Sequence, residues 1–254
     1  MATPRLDVKI VGQGRDLVMI NALLSDRTAY EVLAEKLAGQ RRLIMANLPG
    51  FGTSPATAES LDDYADAVAG LFDDLDLPAD TDILANGLGS FVTSKMAIRH
   101  GDRFNRMVLV GSGAAFPEVG REIIRNLANK VDAEGMAAVV GAATQRMFPE
   151  SFIKANLAIV AEREAVFKAI DPKVFTNSCR YLAALDLGPD LAKIKNPTLV
   201  VIGEVDGATP AAIGHDLAAR LPDGRAVEMA GVGHCPHIQV PDEFIAVIGP
   251  FLDL

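Results

Sequence analysis

Short apolar runs alternate along the chain with longer stretches of helical periodicity. Leu17–Ile20, Arg42–Ala46, Thr81–Ala85, Arg106–Val110, Pro197–Ile202 and Arg225–Met229 are each strand-length, and most end at Gly, Asn or Pro. Between the second and third runs, Leu61, Tyr64, Ala65, Val68, Phe72 and Leu75 fall on one helical face, with Ser60 and Asp63 as a capping-box start. After the third run, Ser90–His100 predicts a helix that begins directly at the turn Asn86-Gly87-Leu88-Gly89. Apolar strands separated by amphipathic helices predict the α/β class, a mostly parallel central sheet flanked by helices on both faces.

From about Pro117 to Leu187 the strand signal disappears. Three helical patterns replace it: REIIRNLANKVDAEGMAAVV, ESFIKANLAIVAEREAVFKAI and KVFTNSCRYLAALDL. The expected organisation is a core made of residues 1–116 and 188–254, with a helical lid, residues 117–187, inserted between two sheet strands. An insertion of roughly 70 residues exceeds an ordinary connection, and such pieces are often lids or binding elements. Met136, Met147, Phe148, Phe152, Phe167 and Phe175 are expected mostly in the core, some of them facing a pocket. Arg121, Arg125, Arg146 and Arg180 are expected on solvated helix faces, with a substrate carboxylate as the other partner open to them.

With 254 residues, half of them apolar, the chain can bury a full-sized core, which excludes a disordered tail or a disulfide-stapled miniprotein. Its 24 basic against 33 acidic residues give a formal charge of -9, the wrong sign for a nucleic-acid partner, and without Trp a stacking platform for bases is not expected. Cys179 and Cys235 lack CxxC spacing, so no disulfide framework, no cysteine metal site and a reducing, cytoplasmic location are expected. No window reaches the roughly 18 uninterrupted apolar residues of a membrane span, and the residues after Met1 do not form a signal-like apolar segment. A monomer or homodimer acting on a small molecule fits this composition.

Two strand ends carry the candidate chemistry. One run leads into Gly203-Glu204-Val205-Asp206-Gly207-Ala208-Thr209-Pro210, another into Gly231-Val232-Gly233-His234-Cys235-Pro236. A carboxylate can hold an imidazole in one tautomer and stabilise its cation, which makes His234 a usable base near neutral pH with Asp206 as its orienting partner.

Together with Asn47-Leu48-Pro49-Gly50-Phe51-Gly52, the strand-turn-helix over residues 81–100 and the late helical insertion, these loops resemble the α/β-hydrolase superfamily, especially its small enol-lactonase, esterase and carbon-carbon hydrolase branch. The resemblance covers nearly the whole chain. It implies the α/β-hydrolase fold and the order nucleophile, acid, histidine, in which Asp206 and His234 fill the last two places. Where the family's turn reads G-x-S-x-G, this chain reads Ala85-Asn86-Gly87-Leu88-Gly89, so Gly87 stands at the nucleophile position and an acyl-enzyme there is chemically impossible. The family's His-Gly after the first long strand is here Asn21-Ala22, and its Asp before Leu-Pro-Gly is Asn47. Three asparagines, Asn21, Asn47 and Asn86, around one missing serine point to a remodelled site.

By the same resemblance the oxyanion hole is made by the backbone amides of Leu88 and Leu23, with Ala22 as the other choice for the second donor. Asn21, Ala22, Asn86, Ser25 and Ser112 are the substrate-binding candidates, and backbone capping is an equal role for the two asparagines. Cys235 is expected as an inert small hydrophobe and as the only thiol near the site. Ser90 and Ser94 are expected to back-bond to helix carbonyls, His237 to lie on the surface or face the lid, and His100 and His215 to be solvated helix-end residues. The expected activity is cleavage of a small ester, lactone or diketone by water activated at His234, without a serine acyl-enzyme, a metal or an organic cofactor. Open beside it stand a lyase or cofactor-free oxygenase using the same base, a non-catalytic ligand binder, and a serine hydrolase inactivated by a Ser-to-Gly replacement.

Overall fold

In a computed structural model of the protein, residues 6–254 are described. Seven strands form one sheet: β1 (Val8–Gly12), β2 (Arg15–Ile20), β3 (Arg41–Ala46), β4 (Asp82–Asn86), β5 (Met107–Val110), β6 (Thr198–Gly203) and β7 (Gly224–Met229). Their order is β1-β3-β2-β4-β5-β6-β7. Only β1 runs antiparallel, against β3; the others pair parallel. All six strands expected from the apolar runs are present, with ends shifted by a residue or two. The edge strand β1 is the one the pattern missed, because VKIVG is short, only half-buried and covered on one side.

The near-continuous apolar runs follow from burial on both faces. Along β2, Val18 and Ile20 face one cluster and Leu17 and Met19 the other. The first cluster is covered by α2 (Leu61–Asp74), α3 (Leu88–His100) and α9 (Ala211–Arg220); the second by α1 (Glu31–Leu37) and α11 (Pro241–Leu252). Ser60 caps α2, its Oγ accepting from the Asp63 amide at 3.2 Å, as the sequence pattern requires.

Between β5 and β6 come α4 (Glu118–Glu134), α5 (Val140–Met147), α6 (Glu150–Ala155), α7 (Leu157–Ala169) and α8 (Pro172–Ala184), followed after β7 by the single-turn α10 (Pro236–Gln239). Five helices stand where three patterns were read. The first pattern breaks at Gly135, which has φ +79°, and the second at Asn156, a non-helical residue between α6 and α7. An isolated bridge pairs Ala115 with Asp186, and Leu187 N–H donates to Ala114 O at 2.8 Å, so the two ends of the inserted segment leave the sheet side by side. Arg121 reinforces this neck through Phe116 O at 2.8 Å and the carbonyls of Ala183 and Leu185.

At the opposite edge of the sheet, Asp82 is fully buried between three guanidinium groups, at 3.1 Å from Arg15, 2.9 Å from Arg41 and 3.0 Å from Arg106. Arg41 also donates to Leu252 O and Asp16 O, which ties the last helix to the N-terminal ends of the central strands. Removing one partner of a buried pair strands the other charge without water. Asp82→Ala is therefore expected to cost about 3–5 kcal/mol in urea unfolding; a loss below about 1 kcal/mol would show the cluster to be as weak as an exposed ion pair.

Candidate active site

Parallel strands bring their C-terminal ends to one edge, and ligands bind where successive connections diverge in opposite directions across an open sheet. That divergence lies between β2 and β4, since the chain passes from β2 to β3 on one side and returns to β4 on the other. The loops after β2, β4, β5, β6 and β7 meet there.

Asp206 and His234 face each other with His234 Nδ1 2.7 Å from Asp206 Oδ2, and both side chains are almost completely buried. The other carboxylate oxygen, Oδ1, accepts from the amides of Ala208 and Thr209, each at 2.8 Å. With both oxygens of the carboxylate accepting, a neutral imidazole here carries its proton on Nδ1 and has its lone pair on Nε2. That nitrogen faces Gly87: a methyl group built on Gly87 would lie 2.9 Å from Nε2 and 3.2 Å from Ala22 Cβ. Gly87 itself sits in the sharp β4-to-α3 turn at φ 51° and ψ -119°.

The pair rests on backbone pressed against backbone. A Cβ on Gly111, at φ +57°, would come within 2.6 Å of His234 Nδ1 and 3.3 Å of Asp206 Oδ2, and one on Gly203 within 2.2 Å of Gly233 O. Glycine is required at both places. Between the acid and histidine loops, Val205 N–H donates to Val232 O at 3.0 Å, and Gly231 N–H to the Glu204 carboxylate at 2.8 Å. The inserted helices add two fastenings at the end of α5: Gly207 N–H donates to Arg146 O at 3.1 Å, and His234 N–H to Met147 O at 2.8 Å.

The asparagines hold loops. Asn21 donates to Ala22 O and Ser25 O and accepts from Leu48 N–H, which shapes the loop after β2. Asn86 donates to His234 O at 3.0 Å and so ties the β4 turn to the histidine loop. Asn47 accepts from Arg27 N–H and donates to Asp7. Every side-chain oxygen and amide group of Asn21 is thereby engaged with backbone, leaving none for the cavity. Ser25 Oγ donates to Asp26 O, and Ser112 Oγ is buried with no hydrogen-bond partner among the described residues; neither lines the cavity. Ser94 Oγ back-bonds to Ser90 O, whereas Ser90 reaches out of its helix to Ala85 O and Val110 O. Among the described residues no hydrogen bond occupies the amides of Leu23 and Leu88, and both residues line the cavity.

The cavity has a volume of about 400 Å³ and lies between this edge and α4, α5 and α8. Its wall is mostly apolar, with Phe91, Phe116, Leu127, Met147 and Leu182 prominent, and His234 opens onto it beside Gly87. Met147 thus faces the pocket, while Phe148, Phe152, Phe167 and Phe175 are core. Cys179 of α8 lines the cavity too, so Cys235 is not the only thiol near the site. Burial pushes the Cys179 thiol up to about 12, and Cys235 is likewise held protonated by burial with its Sγ 3.8 Å from Asn86 Oδ1. Nothing in the motif around Cys179 marked it; only the packing of α8 brings it there. Among the described residues no three His, Cys, Asp or Glu side chains converge to ligate a metal ion, and no helix is long and apolar enough to cross a membrane.

Of the remaining histidines, His100 pairs with Asp66 at 2.7 Å and His215 with Glu228 at 2.6 Å, both near the surface. His237, expected on the surface or facing the lid, is instead buried. It stacks on Tyr30 with ring centroids 4.9 Å apart and tilts against Phe244. The Pro236 turn after His234 aims it inward.

The alpha/beta hydrolase family matches residues 17–247 of the chain. The chain is 29% identical over 262 residues to the pimeloyl-(acyl-carrier protein) methyl ester esterase of Aeromonas hydrophila subsp. hydrophila, an alignment covering 97% of this chain and 99% of that protein. Among solved structures it is similar to the enol-lactonase of Burkholderia xenovorans, with 25% identity, a TM-score of 0.91 and coverage of 98% and 96%. A thermophilic esterase from Thermogutta terrifontis shares the fold at a TM-score of 0.87 and 23% identity, covering 98% and 93%.

Burial first, and then electrostatic interaction with the neighbouring His234 and Arg163, lowers the His237 pKa from 6.5 to about 3. A histidine that stays neutral in the native state stabilises it above pH 6.5, and that contribution drains away as the pH falls from there toward 3. His237→Phe keeps the stack on Tyr30 and removes the titration, so it should flatten the fall of Tm between pH 6.5 and 4. An acid limb unchanged from the parent protein would show that His237 does not drive it.

Proposed function

Since the chain belongs to the alpha/beta hydrolase family, a family of hydrolase-like enzymes, we propose that it cleaves a small ester or lactone with water activated by His234 and Asp206, Gly87 standing where other members place a nucleophile. The observation that carries this reading is the 2.7 Å bond from His234 Nδ1 to Asp206 Oδ2, which leaves the Nε2 lone pair facing a residue that has no side chain. The names of the relatives, a methyl ester esterase and an enol-lactonase, support ester and lactone cleavage as the reaction class.

In this mechanism a water between Nε2 and the substrate carbonyl gives its proton to His234 as its oxygen attacks the carbonyl carbon. The new oxyanion is received by the amides of Leu23 and Leu88, which carry no other hydrogen bond among the described residues. Asp206 stabilises the imidazolium. The C–O bond to the leaving alcohol then breaks, and His234 returns the proton to that oxygen, so ester and water become acid and alcohol with no covalent intermediate. Asn21 and Asn86 act as positioning residues, holding the donor loop and the histidine loop. The helices from α4 to α8 serve as the lid, excluding bulk water from the cavity and fixing the dyad through the carbonyls of Arg146 and Met147.

Two substitutions test the reading. His234→Ala removes the base and is expected to lower kcat for an activated ester by about 10²–10⁴-fold; turnover within a factor of two of the parent would contradict it. Gly87→Ser pushes a Cβ against the imidazole and Ala22, and is expected to lower turnover by about tenfold or more, equivalent to about 1.4 kcal/mol of barrier. A fast esterase with a trapped acyl-serine after that single change would make the chain an inactivated serine hydrolase.

A further inference from the structure

Nearly every basic side chain in this acidic protein is already engaged. Among the described residues only Lys130, Arg146, Lys173 and Arg225 have side chains without an ion pair or hydrogen bond. Two of these four, Lys130 on α4 and Arg146 on α5, line the cavity. No Asp or Glu lines it, although the chain carries 33 of them and a formal charge of -9. The wall of this apolar chamber, with Phe91, Phe116, Leu127 and Leu182, thus carries two unpaired cations, Lys130 exposed and Arg146 half-buried, and no anion, the reverse of the protein's net charge. The neighbouring arginines on the same helices are used differently: Arg125 pairs with Glu118, Arg180 with Asp132, and Arg121 holds the neck.

Arg146 is also fixed relative to the dyad. Its own carbonyl accepts from Gly207, the residue after Asp206, and the next carbonyl, of Met147, accepts from His234. The main chain that carries the guanidinium is therefore fixed relative to the loops of Asp206 and His234.

We infer that Lys130 and Arg146 form a carboxylate subsite, and that the substrate is an anion: an apolar body with a carboxylate at one end and the scissile carbonyl at the other. The inference rests on the reading that this cavity receives the substrate. A guanidinium fork matches a planar carboxylate in bidentate fashion, and an ammonium on the same cavity wall adds a point charge. One fork and one ammonium match a monoanion better than a phosphate dianion, which would call for more donors. The reaction that supplies such a substrate must leave one carboxylate of a diacid esterified or lactonised and the other free.

Binding separates this inference from the catalytic reading, because it needs no turnover. Octanoate, octanamide and octyl phosphate are titrated calorimetrically into the parent protein, Lys130→Gln/Arg146→Gln, Lys130→Arg/Arg146→Lys and His234→Ala. Octanoate is expected to bind at least about tenfold more tightly than its neutral isostere. The preference should vanish in the glutamine pair with octanamide affinity unchanged, and persist in the conservative pair and in His234→Ala. A preference that survives the glutamine pair, disappears in His234→Ala, or is absent from the parent overturns the subsite, and tighter binding of octyl phosphate than octanoate overturns its assignment to carboxylates. A protein that shows the preference yet hydrolyses no ester keeps the subsite and loses the catalytic reading.

Discussion

The bond between His234 and Asp206 is the constraint on which the rest of the site depends. A buried carboxylate and a buried imidazole are each costly to desolvate, and they stay together because the second carboxylate oxygen and the main chain of both loops are provided for, which leaves only Nε2 open to the cavity. Asp206 has two backbone amides on its outer oxygen, and His234 has its main chain fastened to Asn86 on one side and Met147 on the other. The glycines at 111 and 203 follow from the same demand, since any side chain there would enter the pair or force the two loops apart. The sheet contributes the rigid edge that brings all five loops to one place.

This arrangement explains how the inserted helices and the core act as one site. The end of α5 contributes no side chain to the dyad, but its last carbonyls hold both of the dyad's loops. A movement of the inserted helices large enough to open the cavity widely would therefore release hydrogen bonds at Gly207 and His234, so access to the cavity and the geometry of the pair are linked through one turn of helix. The neck at Ala115 and Asp186, clamped by Arg121, limits where such movement can hinge.

Much of the fold could be read from period alone, because strands buried on both faces and amphipathic helices leave unambiguous apolar patterns. The edge strand Val8–Gly12 left none, being half-exposed, and the inserted segment showed three patterns for five helices because breaks at Gly135 and Asn156 do not interrupt an apolar stripe. The pairing of Asp206 with His234 was legible because loop chemistry at strand ends is local. Gly111, Cys179, Lys130 and the carbonyls of Arg146 and Met147 were not, since each matters only through neighbours distant in sequence. Asn21 and Asn86 show the limit of residue type as a guide: a buried amide serves a loop as readily as a ligand, and its partners decide. His237 shows it again, a histidine three residues from His234 that packs as an aromatic.

The central claim is that hydrolysis here proceeds by direct attack of water, with no side chain acylated. The thiols near the cavity, Cys179 and Cys235, are both held protonated by burial and offer no ready nucleophile in place of a serine. The most direct measurement is a stopped-flow time course of an activated ester with the parent protein in near-stoichiometric amount, followed by intact mass spectrometry of the acid-quenched reaction. Direct attack predicts product release that is linear from the first turnover and a protein of unchanged mass. A burst equal to the enzyme concentration, together with a mass increase of one acyl group, would contradict the account.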